Sequence, residues 1–115
     1  MAKSVKSTKT LRTFLRDVPG GDVVVYFTAT WCSPCQLFGP LVEEFAAWRS
    51  IPVVKVDIDK VDPGILNRQP FKIRGVPTLL AYRDRKLRRK RLTGAVSGGK
   101  LVEWLDDVLP PRGRK

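Results

Sequence analysis

The sequence predicts an α/β fold: a central mixed sheet of four to five strands flanked by about four helices. Three observations carry that expectation. The run Val23 to Ala29 is continuously apolar, β-branched and aromatic, as a strand buried on both faces requires. A helical apolar pattern and then a second apolar run follow, so a strand–helix–strand unit spans Val23 to Ile58 and calls for a parallel pair with a right-handed crossover. Later, two strand-like segments flank the polar stretch Arg83-Asp84-Arg85-Lys86 and form a hairpin, which adds an antiparallel pair.

The elements follow in order. Ser7 or Thr8 is placed to cap a first helix whose stripe is Leu11, Phe14 and Leu15, and Asp17 to Asp22 ends it in a turn. After the first strand, Leu37, Leu41, Val42, Phe45 and Trp48 repeat at helical spacing, giving a helix over about 34–49 with Pro40 inside it as an expected kink. A strand over 52–58 and a short helix from Pro63 to about Gln69, stopped by Pro70, come next. Thr78 to Tyr82 and Leu87 to Thr93 are the hairpin strands. Their connection lacks the Gly or Asn of tight hairpins, which predicts a looser turn. Ser97 caps a last helix with Leu101, Trp104, Leu105 and Val108 on its apolar face, and Pro110-Pro111 stops it. Trp48 and Trp104 are expected in the core. The whole of 1–115 reads as one domain with a basic tail over 110–115.

Composition narrows the function. The chain has 115 residues, 22 Lys and Arg against 11 Asp and Glu, a net charge of +11 and no histidine. The charge favours acidic partners. The missing histidine removes the usual general base, the usual metal ligand and any Cys–His dyad. Two cysteines alone cannot complete a zinc site, so no metal is expected. No apolar run reaches the roughly 18 residues of a membrane span, and the basic N-terminus lacks the apolar stretch of a secretory signal, so a cytoplasmic protein is expected.

Those two cysteines are Cys32 and Cys35, in Trp31-Cys32-Ser33-Pro34-Cys35, where the first strand meets its helix. In a reducing compartment such a pair is catalytic rather than structural. The thiolate attacks disulfides, and a helix start stabilises that anion. Cys32 lies at the start and is expected to have the lowered pKa, making it the nucleophile. Cys35, one turn in, is the resolving thiol. Pro34 suits a first helical turn and stiffens the ring. Trp31 is either a core aromatic or, as its position favours, a flat wall beside the reactive sulfur. A second constellation, Arg74-Gly75-Val76-Pro77-Thr78, is either a plain strand start or a cis-proline turn presenting the Val76 backbone to an extended substrate peptide.

These segments, with Pro40, Lys55 to Asp59 and Thr93-Gly94-Ala95, resemble the thioredoxin family over nearly the whole chain. The resemblance implies a thioredoxin fold and reduction of protein disulfides. It implies no bound cofactor beyond the redox-active Cys32–Cys35 disulfide, with electrons drawn from an external reductase. It implies that Pro77 is cis and packs on the disulfide. A shallow substrate groove would be lined by Trp31, Pro34, Val76, Pro77 and Gly94, with Arg74, Gly75 and Ala95 at its edges. Four departures stand out. Ser33 replaces the usual Gly. Tyr26 replaces a buried Asp that is thought to assist proton transfer with the resolving cysteine, leaving Lys55 without its usual partner. About two extra residues lie between Pro63 and Pro77. The charge is basic where bacterial relatives are acidic. The missing Asp predicts slower resolution by Cys35 at neutral pH, or a water route for the proton.

Other signals carry less. Gly94 to Lys100 matches G-x-x-x-x-G-K, but Leu101 stands where a phosphate loop needs Ser or Thr, so the segment reads as a loop and helix cap. Residues 83–91 include seven basic side chains, either a charged edge hairpin or a contact for an acidic protein or nucleic acid. The leading expectation is a monomeric cytoplasmic disulfide reductase, in a host's cytoplasm if a phage encodes it. The alternative is a thioredoxin-fold accessory subunit of a larger assembly, motivated by the basic hairpin and by Tyr26. An oxidase or isomerase is disfavoured by Pro34 and by the absent export signal.

Overall fold

A computed structural model describes residues 2–5, 21–69 and 71–111 of the chain. Its sheet holds β1 (Ala2–Val5), β2 (Asp22–Thr28), β3 (Val53–Asp57), β4 (Thr78–Arg83), β5 (Lys86–Leu87) and β6 (Leu92–Thr93). The order across it is β1-β3-β2-β4, with β5 and β6 both on the outer edge of β4. β1 and β2 run parallel to β3, and β4 antiparallel to β2. The mixed sheet is therefore as expected. β1 is an addition, because four residues with one Lys and one Ser show no readable alternation. The expected first helix lies outside the described residues, as do 112–115 of the tail.

Three α-helices are described: α1 (Ser33–Trp48), the single turn α2 (Pro63–Leu66) and α3 (Gly98–Val108), with a 3-10 turn at Ile58–Lys60. Asp62 caps α2 by accepting from the Gly64 N–H at 2.8 Å. Ser97 caps α3 by accepting from the Lys100 N–H. α1 runs through Pro40 without a break.

Strand alternation sorts the core into two layers. Val23, Val25 and Phe27 join Val54, Val56, Leu80 and Tyr82 against Ile65, Leu66, Phe71 and Ile73. Val24 and Tyr26 join Val53, Leu79 and Ala81 against α1 and α3. The buried face of α1 is Cys35, Phe38, Val42 and Ala46, which is rotated from the expected stripe. Leu37 and Trp48 are 80% and 69% exposed. Apolar residues occupy more than one face of this helix, and only one face meets the sheet. Trp48 is thus not a core residue; it stands edge-on to Phe45, ring centroids 4.7 Å apart. Trp104 is buried and donates its indole N–H to the Lys90 carbonyl.

The hairpin differs in two ways from expectation. Its turn is tight: Arg83 pairs with Lys86, and Asp84 and Arg85 both have positive φ (53° and 71°), the type I′ signature. The cause lies outside the turn. Asp84 exchanges hydrogen bonds with Gly21, its N–H donating to the Gly21 carbonyl and its carboxylate accepting the Gly21 N–H, both at 2.8 Å. The second strand is broken. Tyr82 pairs with Leu87, yet Leu79 pairs with Leu92, so two extra residues bulge between β5 and β6.

The bulge lies beside the end of α3, which two of its basic side chains reach. Arg88 Nε donates to the Val108 carbonyl at 2.7 Å, and Lys90 pairs with Asp107 at 3.1 Å. Arg49 reaches the Leu109 carbonyl, and Arg83 reaches that of Pro110 while pairing with Asp22 at 2.7 Å. Three successive carbonyls at a helix end, where the dipole is negative, thus accept from three guanidinium groups.

Tyr82 yields a stability prediction. Burial pushes its phenol up to about 12 from 10.0, with Arg91 opposing. A phenol raised on folding contributes stability that is whole below pH 10 and is lost as pH climbs toward 12. Tyr82→Phe is expected to flatten this alkaline loss, by up to roughly 2 kcal/mol, in urea midpoints compared between pH 9 and pH 12. A fall as steep as wild type would count against the assignment.

Candidate active site

β2 ends at Thr28 and α1 begins at Ser33, so the segment between them sets the two cysteines. The Ala29 carbonyl accepts the Cys32 N–H at 3.2 Å and the Gln36 side-chain amide at 2.9 Å, closing the turn. Cys32 is the N-cap of α1, in extended conformation, and its Sγ accepts the Cys35 N–H at 3.2 Å. Cys32 and Cys35 are joined in a disulfide, with Cα atoms 5.2 Å apart. Both are buried, at 5% and 1% exposure, in a cluster with Ala29, Ile58 and Val76. Ser33 and Pro34 are exposed on the first turn.

The second constellation lies directly alongside. The Val76–Pro77 peptide is cis, and the Val76 carbonyl oxygen is 3.9 Å from Cys32 Sγ. Thr78 Oγ1 donates to the Gly75 carbonyl at 2.7 Å, and the Gly94 N–H donates to the Pro77 carbonyl at 2.8 Å. Gly94 has φ 84°, a left-handed backbone that suits glycine. Arg74 and Gly75 are exposed, and Ala95 follows Gly94 on the rim. Trp31 is 64% exposed, so it is no core residue, and its indole N–H donates to Asp59 at 2.8 Å.

Tyr26 and Lys55 are register partners across β2 and β3, behind the cysteines. Tyr26 is 1% exposed and donates its hydroxyl to the Cys35 carbonyl at 2.7 Å. Burial pushes the phenol above its ordinary range, with Thr28 lowering it and Glu43 raising it further. It is therefore neutral at physiological pH and acts as a donor. The ring lies against α1 at Gly39, where a Cβ would stand at contact distance, 3.4 Å from Tyr26 Cε2 and hydroxyl.

Two recesses flank the disulfide. One, of about 500 Å³, is lined by Lys72, Arg74, Val76, Pro77, Arg91 and Gly94 among others. The second, of about 350 Å³, is apolar and lined by Pro34, Leu37, Phe38, Leu41, Ala95 and Val96. Lys72 and Asp59 belong to this region but were not marked by sequence reasoning as site residues, and Arg91 was marked only as part of the 83–91 basic run. Nothing local distinguishes Lys72 from the other basic residues, and nothing in the 83–91 run sets Arg91 apart from its neighbours. The G-x-x-x-x-G-K segment is the rim and the cap of α3. Among the described residues no cluster of metal-ligating side chains occurs, and no helix is long and apolar enough to cross a membrane.

The thioredoxin family model matches residues 4–107. The chain belongs to the thioredoxin family. It is 36% identical over 100 residues to a thioredoxin of Mycolicibacterium smegmatis, covering 84% of this chain and 88% of that one. It is 35% identical over 112 residues to a thioredoxin of Mycobacterium bovis, covering 94% and 93%. Among solved structures it resembles reduced Schistosoma mansoni thioredoxin pre-protein, with TM-score 0.78, 28% identity and coverage of 94% and 98%. Thioredoxins are protein disulfide oxidoreductases that use no prosthetic group, only the active-site disulfide. The chain is accordingly a thiol–disulfide oxidoreductase, acting on protein disulfides and recharged by a thioredoxin reductase; the accessory-subunit alternative is not favoured.

Tyr26→Phe removes the hydrogen bond to Cys35 and leaves the ring in place. It is expected to cost about 1 kcal/mol in chemical denaturation. No measurable cost would mean that the hydroxyl contributes nothing net to holding the start of α1.

Proposed function

We propose that Cys32 is the attacking thiol and Cys35 the resolving thiol. The observation that carries this is the Cys32 Sγ at the N-cap of α1, accepting the Cys35 N–H and facing the Val76 carbonyl. A sulfur at that place has its thiolate stabilised by an N–H group and by the helix dipole. The thiolate of reduced Cys32 attacks one sulfur of a substrate disulfide. A Cys32–substrate bond forms, the substrate S–S bond breaks, and one substrate thiolate leaves and takes a proton. The Cys35 thiolate then attacks Cys32 Sγ and expels the second substrate thiolate, leaving the Cys32–Cys35 disulfide. Two electrons have passed to the substrate, and the reductase restores them.

The substrate backbone pairs with Val76 in the groove formed by Trp31, Pro34, Val76, Pro77 and Gly94, with Ser33, Arg74, Gly75 and Ala95 at its margins. Tyr26 positions the first turn of α1 and relays no proton, so the Cys35 proton leaves by water, next to Lys55 on the neighbouring strand. The protein acts as a monomeric single domain in the cytoplasm, where dithiols are kept reduced. A nucleic-acid or acidic partner on the 83–91 hairpin would meet chiefly Arg85, Lys86 and Arg89, which are exposed. Arg83, Arg88 and Lys90 are engaged with β2 and the end of α3, and Arg91 with the Lys72 carbonyl.

The test is dithiothreitol-driven insulin reduction. Cys32→Ser is expected to fall to the uncatalysed rate, and Cys35→Ser to accumulate a mixed disulfide visible by mass. Turnover that survives in Cys32→Ser and vanishes in Cys35→Ser would reverse the roles. Tyr26→Asp, with Tyr26→Asn as neutral control, is expected to speed resolution near pH 7 and to shift the pH profile. An unchanged profile removes position 26 from the proton path.

A further inference from the structure

The recess beside Pro77 has a chemistry of its own. Lys72, Arg74 and Arg91 line it with Gly75, Val76, Pro77, Thr78, Thr93 and Gly94, and no acidic side chain does. Local packing forces this arrangement. Phe71 and Ile73 are buried at 7% each, so the alternating residues Lys72 and Arg74 point outward. The loop that presents them is pinned at both ends, by the Ile73 N–H to the Leu66 carbonyl at 2.7 Å and the Phe71 N–H to the Arg68 carbonyl at 2.9 Å. Arg91 arrives from the opposite wall, immediately after the bulge, and donates to the Lys72 carbonyl at 3.1 Å. That bond ties the two cationic walls together across the recess.

The position of the recess gives it a role. Val76 lines it, and the Val76 carbonyl is 3.9 Å from Cys32 Sγ. An extended peptide advances about 3.3 Å per residue, so a side chain two residues from a cysteine at Cys32 lies about 7 Å away, within reach of the recess. The opposite flank, across the Gly94–Ala95 peptide, is apolar and offers no charge. The two sides of the disulfide therefore differ, and only one discriminates by charge.

We propose that Lys72, Arg74 and Arg91 form a specificity pocket for a carboxylate side chain, so that the preferred substrates carry Asp or Glu about two residues from the cysteine under attack. This rests on the disulfide-reductase reading above and adds the substrate class to it. The attraction acts in a solvated recess, so it sets relative rates rather than tight binding, and salt weakens it.

The experiment uses the full chain, pre-reduced, in single turnover. The probes are short peptides whose one cysteine is disulfide-bonded to 2-mercaptoethanol, identical except for Glu, Gln or Lys two residues before or after it. The released thiol is followed against time. The Glu peptide is expected to react about tenfold faster than the Lys peptide on one side of the cysteine, with Gln between, and the ratio is expected to shrink toward one in 0.5 M salt. Lys72→Gln/Arg74→Gln is expected to remove most of the ratio even where its absolute rates change. Equal rates for all three peptides with wild type overturn the proposal and leave the reductase intact. A preference that persists in high salt or in the double variant overturns the assignment to this pocket. Failure of wild type to reduce even the Gln peptide overturns the reductase reading and this inference with it.

Discussion

The pairing of β2 with β4 is the constraint on which the rest depends. The strands run antiparallel with Phe27 opposite Thr78, so the end of one and the start of the other share the same edge of the sheet. The chain leaves β2 into the cysteine turn and enters β4 from Pro77. The register alone thus brings sequence positions 44 apart to 3.9 Å. A slip of one residue would turn Val25 and Phe27 out of one core layer and into the other, and would carry Val76 away from Cys32. Almost complete burial of β2 enforces the register, because every side chain from Val23 to Ala29 has a core position to fill.

The basic composition has a partly structural origin. At the end of the sheet remote from the disulfide, Arg83 closes onto Asp22, and Arg49, Arg83 and Arg88 converge on the carbonyls of residues 108 to 110. Guanidinium groups suit this, since they offer several donors and stay charged. The net charge therefore overstates the positive surface available to a partner. Near the disulfide the balance differs, with Lys72 and Arg74 held outward by the buried residues on either side of them.

The central fold and the cysteine pair were legible because each rests on local patterns: an unbroken apolar strand, a helical repeat, and a strand–CxxC–helix junction. What was not legible rests on distant contacts. The tight turn at Asp84-Arg85 contains neither Gly nor Asn, and only its exchange of hydrogen bonds with Gly21, 63 residues away, explains it. The break between β5 and β6 accompanies contacts with α3, where Arg88 and Lys90 reach its end and Trp104 of α3 donates to the Lys90 carbonyl. Trp48 fitted a helical stripe, but apolar residues circle α1 more widely than the face the sheet covers. The cationic recess was hidden for a similar reason: a loop and an edge strand distant in sequence assemble it, and the basic run of the second does not tell which of its side chains faces the loop.

The two-residue bulge also affects how the molecule behaves in a crowd. An edge strand with a regular ladder exposes a row of amide and carbonyl groups onto which any other extended chain can add, which is how sheets grow into aggregates. Here that row is interrupted after Leu87 and resumes only for Leu92 and Thr93, leaving two short segments out of step with one another. No incoming strand can pair with both at once. The irregularity that brings Arg88 and Lys90 to α3 also stops the sheet at this edge, giving the chain a built-in resistance to polymerising along it.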